Sequence, residues 1–222
     1  MAMAIVNRDQ REAAFKVIYF GAPEAGKSTL LSLIHQSLPE SGRGPLAMHD
    51  SAVDRTLSFD YVLPGGTGLE GCRTRFRIYT LPGAFVYPAT WELLLRSADG
   101  IVFIADSRPE KLEETAAAKS ALLDFLERQG DGDGSIPLAY QYNKRDLPDA
   151  VPSAHLDHVM NLSAATPRFE TSAIQRFQLF EGLNAVAERI LARQSGARAA
   201  AAGNAPAPGR RGQRRVIAEL AA

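Results

Sequence analysis

Residues 21–28 read GAPEAGKS, placing Gly21, Gly26, Lys27 and Ser28 at the spacing GxxxxGK[ST]. Glycines so spaced let a loop wrap backbone N–H groups around the α- and β-phosphates of a nucleotide. The lysine reaches the β- and γ-phosphates, and the hydroxyl after it can ligate Mg²⁺. The expected contact set here is Gly21, Glu24, Ala25, Gly26, Lys27, Ser28 and Thr29. A second constellation, Asn143-Lys144-Arg145-Asp146, fits NKxD. Guanine offers N1–H and N2–H₂ donors on one edge, and a fixed carboxylate such as Asp146 accepts both. Adenine would leave that carboxylate unpaired at a cost of roughly 1–3 kcal/mol or more. Asn143 can tie its loop back to the phosphate loop, and the stem of Lys144 can lie over the base plane. In the run Glu170-Thr171-Ser172-Ala173, the backbone of Ser172 and Ala173 can meet the guanine O6.

Such loops act together only at the carboxyl end of an open parallel sheet. Residues 15–20, an apolar run just before the phosphate loop, read as a buried strand, and residues 28–38 as the helix whose positive dipole end faces the phosphates. Further strands are expected at 56–63, 73–80, 100–106, 136–142 and 167–170, and helices at 91–97, 109–129, 152–161 and 177–193. The Gly- and Pro-rich segment 64–71 reads as a hairpin connection. The expected fold class is therefore α/β, a three-layer sandwich with a mostly parallel six-stranded sheet and one antiparallel edge strand.

Composition fits this picture. The chain has 222 residues, 45% of them hydrophobic, and formal net charge zero. This suits one domain, read as residues 1–194. From residue 195 the chain turns to Ala, Gly, Pro and Arg, with Arg198, Arg210, Arg211, Arg214 and Arg215 against Glu219. Residues 195–222 read as a disordered basic tail able to touch anionic lipid or an acidic partner. The remainder is mildly acidic, which argues against nucleic acid as the main partner. Cys72 stands alone, so no intrachain disulfide or cysteine metal site is expected, and a reducing cytoplasm is the natural compartment. No signal peptide or membrane span is legible.

With these motifs in place, the chain resembles Ras-like small GTPases, and among them the bacterial MglA-type GTPases of cell polarity and motility. The resemblance covers roughly residues 13 to 193 and rests on the stretches around 17–30, 54–64, 74–83, 100–107 and 141–151. It implies GTP/GDP and Mg²⁺ as cofactors, a Roadblock-fold dimer as regulator, a GTP-state effector, and recruitment to the cell pole or inner membrane surface. It assigns Thr56 as the switch I threonine on Mg²⁺ and γ-phosphate, Gly83 as the switch II sensor, and Arg55 as an arginine finger supplied in cis. Thr80 stands where most Ras-like proteins carry the aspartate of DxxG, and Asp60 is a candidate to replace that carboxylate through a water. The metal set so implied is Ser28, Thr56, Thr80 and Asp60. Trp91 falls on the switch II helix.

Ala84 departs from the family pattern, standing where the water-orienting glutamine belongs. A methyl group neither donates to nor accepts from a water, so weak intrinsic hydrolysis is expected. Pro23 replaces the usual glycine and would crowd an arriving arginine, and Glu24 brings negative charge near the phosphates. Two alternatives remain: a pseudo-GTPase scaffold with structural GTP, and a P-loop kinase of small metabolites, which would have no use for NKxD.

Overall fold

The computed structural model describes residues 5–7, 11–50, 55–64, 69, 72–81, 88–131 and 134–201. The chain runs β1 (Ile5–Asn7), β2 (Glu12–Phe20), α1 (Lys27–Ser37), β3 (Ala47–Asp50), β4 (Arg55–Val62), β5 (Arg73–Thr80), α2 (Pro88–Leu95) and β6 (Gly100–Asp106). It continues through a 3₁₀ turn (Pro109–Lys111) into α3 (Leu112–Arg128), β7 (Leu138–Asn143), α4 (Ser153–Val159), β8 (Arg168–Glu170) and α5 (Glu181–Ala201).

β2 is the organising strand. Its residues alternate between the two faces of the sheet, Phe15, Val17 and Tyr19 on one side, Ile18 and Phe20 on the other. The first face is covered by α1 and α5 through Leu31, Ile34, Leu183, Val186 and Ile190. The second is covered by α2, α3 and α4 through Leu95, Leu122, Phe125 and Leu156. Burial on both faces explains why β6, GIVFIAD, is continuously buried rather than alternating. The result is the expected three-layer α/β sandwich, with strand order β3-β4-β5-β2-β6-β7-β8. β2 pairs in parallel with β5 and β6, as do β6 with β7 and β7 with β8. β4 is antiparallel to β5, as expected of a hairpin.

Two strands beyond the expected six are present. β3 extends the antiparallel edge by pairing with β4. β1 pairs antiparallel with Glu12–Ala14 of β2, below the point where β6 takes over that edge at Val17. The last helix also differs: α5 continues to Ala201 instead of ending at Arg193. The added turns are built largely of Ala and Arg, strong helix formers, so the first residues of the expected tail are helical. No helix among the described residues is long and apolar enough to cross a membrane.

Candidate functional site

The carboxyl ends of β2, β6 and β7 meet at one rim of the sheet, and each delivers a loop. After β2 the chain turns at Gly21 (φ 151) and Gly26 (φ 91), with Glu24 held at φ 60 between them. Neither glycine admits a side chain. A Cβ on Gly21 would lie 2.2 Å from the Ile104 carbonyl oxygen, and one on Gly26 would lie 2.3 Å from the Asn143 amide nitrogen. Lys27 is buried, and its ammonium donates to the carbonyls of Gly21 at 3.0 Å and Ala22 at 2.7 Å. α1 starts on Gly26 with no side-chain cap and no acidic residue in its first turn. Its leading N–H groups and positive dipole end therefore face the loop unopposed by carboxylates. Ser28 is partly buried and Thr29 exposed in that turn.

The β7 loop is locked to this one through a single side chain. Asn143 donates its amide to the Ala25 carbonyl at 2.9 Å and accepts the Ala173 N–H at 3.1 Å, so one buried residue joins three loops. The Arg145 N–H reaches the Thr171 carbonyl at 3.1 Å, binding the NKxD loop to the segment after β8. There Ser172 donates to the Asp146 carboxylate at 2.5 Å and accepts the Gln175 N–H at 3.1 Å, fixing how the carboxylate points. Gln141, buried in β7, donates to the Thr171 hydroxyl at 3.0 Å and to the Gln178 carbonyl at 3.1 Å, pinning the same segment from below.

Three residues outside the expected set sit among these loops. Asp106, at the end of β6, is fully buried and accepts Lys144 Nζ at 2.7 Å, Arg108 Nη2 at 2.9 Å and the Arg108 N–H at 3.0 Å. Burial alone would push its carboxyl up, but these cations and N–H bonds hold it below the usual carboxylate range. The same pairing raises the Arg108 guanidinium. Glu24 does not bring uncompensated charge to the phosphate loop, because its carboxylate lies 3.5 Å from Arg108 Nη2 and 3.6 Å from Lys111 Nζ. The sequence signal for Asp106 was an acidic residue at the carboxyl end of a wholly apolar strand.

The antiparallel half of the sheet separates the residues grouped as metal ligands. Thr56 is the second residue of β4, opposite His49, and Thr80 ends β5 fully buried, its hydroxyl accepting the Leu57 N–H at 2.8 Å. Both lie towards the rim that carries the loops. Asp60 does not. It pairs with Arg77, whose parallel neighbour is Lys16, four positions before Phe20, and its carboxylate is engaged by Arg75 at 3.0 Å and Arg77 at 3.8 Å. The strand register thus removes Asp60 from any metal role at the rim. Gly83, Ala84 and the side chains of Arg55 and Trp91 lie outside the described residues.

No family model matches the chain. It is 36% identical over 190 residues to mutual gliding-motility protein MglA of Myxococcus xanthus, an alignment spanning 85% of this chain and 96% of that protein. The chain belongs to the MglA-type branch of the Ras-like small GTPases. This MglA-type GTPase also shares 28% identity over 196 residues with mouse ADP-ribosylation factor-like protein 4D, covering 83% of the chain and 87% of that protein. Its identity to the small COPII coat GTPase SAR1 of Giardia intestinalis is 27% over 136 residues, or 61% of the chain and 60% of that protein. Membership makes it a guanine-nucleotide-binding switch and sets aside the small-metabolite kinase. Its loop geometry suits that ligand: both glycines let the phosphate loop pack directly against Ile104 and Asn143, where a Cβ would collide, and Ser172 orients the Asp146 carboxylate on the NKxD loop.

Proposed function

We propose that this MglA-type GTPase works as a slow GTP/GDP switch that signals to cell-polarity or motility machinery. The observation that carries the reading is Asn143, whose amide group joins the phosphate loop at Ala25 to the Ser172–Ala173 segment. Around that joint the chain's residues divide the work. The backbone from Gly21 to Gly26 and the N–H groups of Lys27 and Ser28 receive the phosphates, and Lys27 exchanges its bonds to the loop carbonyls for the β- and γ-phosphates. Asp146 accepts the guanine N1–H and N2–H₂, the Lys144 stem covers the base, and the Ala173 region meets O6.

The donor set also fits Mg²⁺. Among the described residues no cluster of three or more acidic, histidine or cysteine side chains exists to cage a metal. Mg²⁺ characteristically takes few protein ligands together with phosphate oxygens and water. Ser28 and Thr56 would supply the hydroxyls, and Mg²⁺ would neutralise charge on the phosphates. Thr80 would serve chiefly as a strut, its hydroxyl accepting the Leu57 N–H.

Arg55 would neutralise charge developing on the transferred phosphoryl group, while Ala84 leaves the attacking water without a positioner, so GTP persists once bound. Thr56 and Gly83 would report the γ-phosphate to a Roadblock-fold regulator and to a GTP-state effector, with recruitment at the pole or inner membrane surface. The discriminating experiment is partner capture from native lysate by full-length protein loaded with GDP or a non-hydrolysable GTP analogue. A state-dependent set of partners is expected. An identical set in both states would leave the nucleotide structural and make the protein a scaffold.

A further inference from the structure

The buried carboxylate of Asp106 holds two cations that belong to different halves of the site. Lys144 comes from the loop that reads the base, at 2.7 Å, and Arg108 from the turn opening α3, at 2.9 Å. Arg108 in turn faces Glu24 of the phosphate loop at 3.5 Å, and Lys111 supports the same carboxylate at 3.6 Å. An ionic chain therefore runs from the phosphate loop to the base loop without passing through the nucleotide. Its inner end is rigid: Asp106 is fully buried, and Ser107, next to it, bonds its N–H to the Asn143 carbonyl at 3.1 Å. Its outer end is open to solvent: the Glu24 side chain is 70% exposed against 25% for Arg108 and 16% for Lys111.

We infer that Glu24, with Arg108 and Lys111, forms a salt-sensitive clasp that slows nucleotide release from this GTPase. The inference rests on the guanine-binding reading above. Glu24 occupies a left-handed backbone conformation, φ 60, which an L residue adopts only against a steric cost. Its ion pairs help hold the phosphate loop in that shape. Breaking them at the exposed end lets the loop relax while the buried Asp106–Lys144 pair keeps the base loop in place. Because the clasp's outer partner is exposed, its strength is that of a surface pair, screened by salt.

The test is the dissociation rate of a fluorescent GDP analogue from the full-length protein, chased with excess GDP, at about 0.05 M and about 0.5 M salt. Glu24→Gln is expected to release about two- to five-fold faster than the unmodified protein at low salt. At high salt the two rates converge. Glu24→Asp restores part of the slow rate, and Lys111→Met combined with Glu24→Gln adds less than the two single effects together. Equal rates for Glu24→Gln and the unmodified protein at low salt would overturn the clasp. So would a faster rate that salt does not erase, since Glu24 would then act through something other than charge. Failure of the unmodified protein to bind the analogue at all would instead sink the guanine-binding reading.

Discussion

The Thr80 hydroxyl takes the Leu57 N–H at 2.8 Å, with Thr80 completely buried, so β4 is moored to β5 by a side chain just where their backbone pairing stops at Ser58 and Tyr79. Thr80→Val keeps the shape and removes the acceptor, stranding a buried N–H. The expected loss is about 1–3 kcal/mol, or about 2–12 °C in Tm by calorimetry for a domain of this size. An unchanged Tm would mean that the Leu57 N–H finds another partner.

Asn143 serves two loops at once, so its truncation releases both. Asn143→Ala is expected to weaken GDP binding by about 10- to 100-fold, measured by fluorescence titration, as two buried bonds are lost.

Asp146→Asn exchanges an acceptor for an amide that also donates. GDP affinity should fall by about 10- to 100-fold, while a xanthosine nucleotide, which carries a carbonyl in place of the guanine N2 amine, should gain relative to GDP. Competition titrations with both nucleotides read the two arms directly.

On the proposed reading, Ala84→Gln would supply a water positioner. In single-turnover assays the unmodified protein should still hold its GTP after several hours, while the variant converts it at a rate on the order of 10⁻⁴ s⁻¹. Equal rates would show that a glutamine here is not what limits hydrolysis.

Asp106 predicts a pH dependence with a definite sign. Its folded carboxyl lies below the ordinary value of about 3.9, so its contribution to stability is complete above that value and disappears as pH falls through the lower, folded one. Urea midpoints should thus fall more steeply below about pH 4 in the unmodified protein than in Asp106→Asn, which lacks the titrating group. Parallel curves would contradict the assignment.

Elements with a strong apolar signature were legible in the sequence, and those defined by their neighbours were not. β6 could be read from GIVFIAD and β2 from the run ending at Phe20, because burial on both faces demands continuous apolar residues. β3, Ala47–Asp50, contains no β-branched residue and exists by pairing with β4, so nothing local announces it. Asp60 was legible as a strand residue, but its height on the sheet depends on the register with Arg77 and Lys16, which sequence does not carry. Among the site residues, Asn143, Asp146 and the glycines followed from motif chemistry. Asp106, Arg108 and Lys111 did not, because their partners come together only when the turn opening α3 meets the phosphate loop.

The bond from Asn143 to Ala25 closes over 118 residues, and Ala173 joins it from 30 residues further on. During synthesis the amino-terminal phosphate loop is made long before either counterpart. A ribosome-bound chain that has not yet reached residue 173 owns a place for phosphates and no means of choosing guanine. On the proposed reading, competence to read the nucleotide arrives only once residue 173 has been made, and capture of GDP or GTP would report that β8 has joined the sheet.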